Sequence, residues 1–308
     1  MLSHKDARRR PCEGLSTMAR SEESGVSRPV TVGVDGSEGS VAAVDWAADE
    51  AALRGDGLRL VYATRWAEHQ LGAMKVSHED RADAAEGVLA ETERRVGSRQ
   101  PGVALTADEV EDAPVSVLLA AAAAAELLVV GSHGLGSVRG FIVGSVGQEV
   151  IADAERPVVL VRPGYEKDGS GGSGKNSRRK VVVGLDVNDV EDELLHFAFD
   201  FAGRHRVPLE IVHTWHESFV HHADAAAKDE RAAALAGAVR PFRDRFPGTE
   251  VTEVSAPGRP AEHLIEAASD ARLVVVGRRR AARGSHIGSV THAVIHHASC
   301  PVAVVPHA

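Results

Sequence analysis

LLVVGSHGLGSVRGFIVGSVGQEV, residues 127–150, is the stretch from which the rest of the chain can be read. Leu127, Leu128, Val129 and Val130 have the length and branching of a fully buried strand, which stops at Gly131. The loop beyond it has the skeleton Gly131, two residues, Gly134, nine residues, then Gly144 and Ser145. Val146, Val150, Ile151 and Ala154 recur at helical spacing, so the local order is strand, loop, helix. Glycines at Gly131, Gly134, Gly136 and Gly140 admit positive φ and let another molecule approach without a Cβ in the way. Ser145 with Gln148 three residues on has capping-box spacing, which would fix where the first N–H groups of the helix point. Those groups and the helix dipole favour an anion, so the passage reads as a main-chain phosphate cradle ahead of an ordinary surface loop.

Outward from this stretch, strands and helices alternate. Residues 1–27 carry charged and small residues and no signal-peptide core, and read as a disordered tail. From Pro29, VTVGVDGS is an alternating strand ending at Gly33 and Asp35, an acidic residue at a strand's carboxyl end, where open α/β sheets bind ligands; a turn or helix-cap role competes, because Gly36 and Ser37 follow. Val44, Ala47, Ala48 and Ala51 form one apolar helix face, stopped near Gly55 and Gly57. Leu58 to Ala63 is the next strand, Ser77 to Val96 a charged helix, Val103 to Val110 a third strand, and Pro114 to Ala125 an alanine-rich helix. Pro157 to Val161 closes this half. Such alternation calls for a doubly wound parallel sheet covered on both faces through right-handed crossovers.

Residues 164–180, rich in Gly, Ser and charge, read as a flexible linker. Gly169, Gly174 and Lys175 nearly spell a Walker A loop, but Asn176 replaces the Ser or Thr and no strand precedes it. The second half then repeats the first. Val181 to Asp186 matches Val30 to Asp35, Leu195, Ala198, Phe199 and Ala202 fall where Val44, Ala47, Ala48 and Ala51 fell, and Leu273 to Gly277 matches Leu128 to Gly131. Gly288, Ser289 and Val290 match Gly144, Ser145 and Val146, and Pro301 to Val305 closes the copy. This is an internal duplication, with domains at 28–163 and 181–308. Both closing strands are apolar throughout, as open edges should not be, so they are expected to pair within the chain.

Composition bounds the function. The 308 residues are 44% hydrophobic and 26% charged, as in soluble globular proteins. A net charge of -9 speaks against a nucleic-acid binder, and no apolar run approaches a membrane span. The two cysteines, Cys12 and Cys300, cannot form a disulfide framework and suit a reducing cytoplasm. His292 and His296 lie four apart on a helix and His213, His216, His221 and His222 cluster near a strand end, but no evident third ligand accompanies them and solvent-facing roles are preferred over a metal site. Trp66 and Trp215, just after the second strand of each half, read as edge packing ahead of base stacking.

Both halves resemble the universal stress protein family in the tandem form common in actinobacteria, from about Arg28 to His307. The motif that carries the resemblance is Gly131, Gly134, Gly144 and Ser145 at the spacing given above. The resemblance implies two Rossmann-like five-stranded domains of order 3-2-1-4-5, their fifth strands paired, and ATP with Mg2+ as cofactor. It places Asp35 near the ribose or metal and Gly33 and Ala63 beside the adenosine. Gly131, Ser132, Gly134, Arg139, Gly144, Ser145 and Val146 would surround the phosphates, with His133, Gly136 and Ser137 in the same loop. In the second half the corresponding positions are Gly184, Asp186, Thr214, Gly277, Gly288, Ser289 and Val290. There the loop departs from the pattern: Arg280 replaces the second glycine, the gap is two residues shorter, and Arg278, Arg279 and Arg283 join it, which reads equally as arginine forks standing in for main-chain donors or as a basic, solvated loop on a degenerate site.

The function implied is an ATP-binding regulatory protein of the stress or dormancy response, acting on an unidentified protein partner, with intrachain pairing of its halves or a homodimer as its assembly. A slow ATPase or autokinase is the enzymatic alternative, and a nucleotide-independent structural dimer the third. Hydrolysis would need a positioned water and neutralising cations, and the first loop offers only Arg139, with His133 as a base nothing orients.

Overall fold

The computed structural model describes residues 27–65, 78–134, 141–165, 179–215, 225–280 and 286–308. The first half runs β1 (Val30–Val34), α1 (Glu38–Arg54), β2 (Leu58–Ala63), α2 (His78–Arg99), β3 (Leu105–Val110), α3 (Pro114–Ala124), β4 (Leu127–Gly131), β5 (His133–Gly134), β6 (Phe141–Ile142), α4 (Ser145–Asp153) and β7 (Val158–Val161). The second runs β8 (Lys180–Gly184), α5 (Asp192–His205), β9 (Leu209–Trp215), α6 (Ala225–Arg245), β10 (Val251–Pro257), α7 (Pro260–Ala267), β11 (Ala271–Arg279), α8 (Ser289–His297) and β12 (Val302–His307).

One ten-stranded sheet takes the order β10-β9-β8-β11-β12-β7-β4-β1-β2-β3. Each half therefore reads 3-2-1-4-5 with parallel neighbours, as the resemblance implied. The halves join where β7 and β12 pair antiparallel, Ala303 opposite Val159. Valine dominates the central strands because they are covered on both faces. Thr31, Val32, Val129, Val159, Val182 and Val275 all lose their solvent exposure, and a branched side chain suits that pleated, two-sided burial. The Val44, Ala47, Ala48 and Ala51 face of α1 and the Leu195, Ala198, Phe199 and Ala202 face of α5 share one core layer, and α3, α4, α7 and α8 cover the opposite face.

Across the join, α1 lies against α5. Trp46 stacks on Phe201 with rings 6.2 Å apart, and Phe201 stacks on His205 at 4.1 Å. Glu50, buried, takes Arg54 at 2.5 Å and His205 at 2.8 Å. Burial alone would raise the Glu50 pKa, but the His205 hydrogen bond and the Arg54 charge outweigh it and hold the carboxyl below its usual value.

Several boundaries differ from the sequence expectations. Helix α2 continues to Arg99, and β3 begins at Leu105. Lys180 belongs to β8, where its Nζ donates to Glu210 at 3.0 Å, and the Tyr165 hydroxyl donates to the Arg272 carbonyl at 2.9 Å, so both ends of the expected linker are tied to the second half. His213 is buried against the Leu185 carbonyl at 3.1 Å, not solvent-facing. Most of the expected tail, the Walker-like stretch, Cys12, Trp66, His216, His221 and His222 lie outside the described residues.

Candidate functional site

In the first half, β1 and β4 are neighbours, and the chain leaves them toward opposite sides of the sheet. This is the switch point at which an open α/β sheet forms a crevice beyond its carboxyl ends. Asp35 follows β1 there, and the glycine loop follows β4. Asp35 Oδ1 accepts from the Ser37 amide at 2.9 Å, the turn role that competed for it, and Ser37 in turn caps α1. The carboxylate's charge is still felt nearby: burial first, then Asp35 and Glu109, push the Tyr62 phenol above its ordinary pKa.

The loop after β4 folds back on itself, because His133 and Gly134 pair antiparallel with Ile142 and Phe141. The N-cap of α4 is Gly144, not Ser145, so the expected capping box does not form. Ser145 is the first helical residue, and Gln148 Nε2 donates to the Val143 carbonyl at 2.8 Å. A glycine cap carries no side chain to occupy the first amides, which have no acceptor within the helix. An anion approaching this end therefore meets backbone donors and the positive end of the dipole.

The remaining first-half candidates divide by what they touch. A Cβ on Gly131 would stand 2.2 Å from the Gly39 carbonyl carbon, so the glycine serves the crossing of α1 over β4. One on Gly33 would meet Leu118 Cδ2 at 2.6 Å, so helix α3 covers it. The buried Ser132 hydroxyl donates to the Val161 carbonyl at 3.2 Å, away from the loop. Ala63 packs with Val117 and Ala121, and Val146 lies in the core beneath α4. Gly136, Ser137 and Arg139 lie outside the described residues, as does the His133 side chain.

The second half has a cavity of about 540 Å³ at the matching place. Of the positions named from the sequence, Gly184, Asp186, Thr214, Gly277, Arg278, Gly288 and Val290 line it, and Ser289 does not. Asp186 repeats the turn of Asp35, with Oδ1 accepting from the Asn188 amide at 3.0 Å. Gly288 caps α8 as Gly144 caps α4, and Thr291 Oγ1 donates to the Gly277 carbonyl at 2.8 Å. Leu264 packs over Gly184 as Leu118 packs over Gly33.

The arginines depart from expectation. Strand β11 runs on to Arg279, so the arginine run begins inside the sheet and not in a loop. Arg279 reaches Asp189, Arg278 turns inward to the Ala154 carbonyl, and Arg280 lines a different cavity beside Arg54 and Asp200. Arg283 lies outside the described residues. The Glu191–His307 pair at 3.0 Å was missed, because His307 follows the last apolar residues of β12 and nothing in the sequence links it to Glu191. Among the described residues no group of three or more His, Cys, Asp or Glu gathers around a metal position, and no helix is long and apolar enough to cross a membrane.

The model of the universal stress protein family matches residues 27–162 and again 177–306. A universal stress protein of Mycobacterium tuberculosis is 30% identical over 295 residues, covering 89% of this chain and 96% of its own. One of Mycolicibacterium smegmatis is 28% identical over 296 residues, covering 92% and 98%. Among solved structures, a universal stress protein from Archaeoglobus fulgidus superposes with a TM-score of 0.67 at 20% identity, over 91% of this chain and 98% of that one, a likeness of fold.

Proposed function

The chain belongs to the universal stress protein family, and from that premise we propose that its first half is an ATP site whose occupancy alters the protein's conformation or partners in a cytoplasmic stress response. The observation that carries this reading is that Asp35 and the glycine loop leave adjacent strands at one switch point, with the Gly144-capped end of α4 closing the loop. There the phosphates would take the loop's backbone and the first amides of α4, while the Asp35 oxygen not used in its turn would accept from the ribose hydroxyls or hold Mg2+. ATP bound this way supplies a charged, removable brace between β1, β4 and α4. The role is binding, not turnover.

Releasing and identifying the nucleotide that co-purifies with the chain tests this directly, and an assay for released phosphate separates binding from hydrolysis. Gly134→Leu places a side chain where the phosphates would lie, and calorimetry should show ATP affinity in the first half falling by about 3 kcal/mol or more, over a hundredfold. Unchanged affinity in a folded variant would remove the cradle.

A further inference from the structure

Arg278 belongs to two places at once. It follows Gly277 on β11, lines the second-half cavity, and is 5% exposed, yet its Nη2 donates across the join to the carbonyl of Ala154. Ala154 is the C-cap of α4, the helix whose other end closes the first-half glycine loop. A second contact runs the other way, from a different strand. Arg162, at the end of β7, donates to the Ile295 carbonyl in the last turn of α8 at 3.1 Å. Each half thus sets a buried cation against the negative end of the other half's loop-following helix.

Arg278 differs from its neighbours in having a neutral partner. Arg279 is matched by Asp189 and His307 by Glu191, whereas among the described residues Arg278 makes no ion pair. Asp153 is near enough to favour its charge, but burial and Arg280 act against it. A buried guanidinium held by a carbonyl, with no carboxylate in contact among the described residues, is costly, and an anion in the cavity would supply the missing counter-charge. The same wall holds the Thr214 hydroxyl, buried with no hydrogen-bond partner, and the apolar Leu185, Val212 and Leu264.

We propose that the second-half cavity is a regulatory anion site for the first half, and that Arg278 is the link. A small molecule bearing a phosphate or carboxylate on an apolar body takes the guanidinium from Ala154. Helix α4 then loses the cation at its C-terminus, its docking loosens, and the first half binds its own anion less well. By linkage, a filled first half weakens the second equally. This rests on the reading of α4 as part of the first-half nucleotide site.

The test is hydrogen exchange at residues 150–154 of the full chain, carrying Gly134→Leu to block the first cradle, with ATP and inorganic phosphate as separate probes. ATP should speed exchange there by about fivefold or more. An equal effect of phosphate shows that the anion alone suffices, and an effect of ATP alone shows that the apolar wall contributes; both support the link. Adding Arg278→Met should give fast exchange without ligand and no further response, while Arg279→Met keeps the response. Should Arg278→Met fail to fold, the ligand response of the Gly134→Leu chain still decides. ATP bound by that chain without change at 150–154 overturns the coupling, as does absence of ATP binding there while the unaltered chain binds; either outcome leaves the first-half reading intact. Failure of the unaltered chain to bind ATP overturns that reading and the coupling with it.

Discussion

A Cβ built on Gly131 would stand 2.2 Å from the carbonyl carbon of Gly39, whereas one on Gly277, its counterpart, would first meet the Nε2 of His307 at 2.8 Å. In the first half the obstacle is the backbone of α1, which cannot give way without moving the helix. In the second it is the tip of an imidazole on a cavity wall. One motif position therefore answers to helix packing in one copy and to a movable side chain in the other. The helix ends diverge in a similar way. Gly55 closes α1 at φ 73°, and at the matching place Arg206 closes α5 at φ 53°. A side chain in that left-handed region crowds its own carbonyl, so the second copy holds strain that the first avoids.

The largest effect expected is on the join that makes the comparison possible within one molecule. Val159→Pro with Ala303→Pro strikes the paired centres of β7 and β12, and loses about 3 kcal/mol or more at each strand. X-ray scattering should show separated halves or aggregation, and a compact, monodisperse double variant would mean that the halves are held by α1 and α5 instead.

The glycine contrast is sharpened by Gly131→Ala and Gly277→Ala in urea unfolding. The first should cost about 3 kcal/mol, and the second about 1 kcal/mol, because only the His307 ring and its Glu191 pair must shift, not a helix backbone. Equal costs would mean that α1 yields as readily as the imidazole. Smallest is the helix-cap pair. Arg206→Gly should gain about 1 kcal/mol and Gly55→Ala should lose a similar amount, read as opposite shifts in thermal unfolding. Two shifts of the same sign would show that Arg206 repays its strain through contacts of its side chain.

Much of the fold was legible in the residues because it rests on periodicity and repetition. Leu58 to Ala63 forms a strand with the bounds its residues suggested, and the alanine-rich helix after Pro114 ends one residue early. The closing strands paired as their uninterrupted apolar character required, since neither could remain an edge. At the site, the second-half positions Gly184, Asp186, Thr214, Gly277, Gly288 and Val290 meet around one cavity, because strand ends and helix starts are placed by the fold itself. The capping box failed because Gly144 already has the extended backbone of an N-cap, which moved Ser145 one place into the helix.

By itself the sequence determined the duplication, the alternation of strand and helix, and the loop that ends each fourth strand. These follow from local pattern: which residues are apolar, at what period, and where glycine interrupts them. Only the tertiary structure decided where the polar side chains of those loops point. Extending β11 to Arg279 set successive arginines on alternating faces, so Arg278 crossed to Ala154 while Arg279 found Asp189. Arg278 and Ala154 stand 124 residues apart, and Glu50 and His205 stand 155 apart. A contact of that separation depends on how two finished halves meet, and no local period in the chain records it.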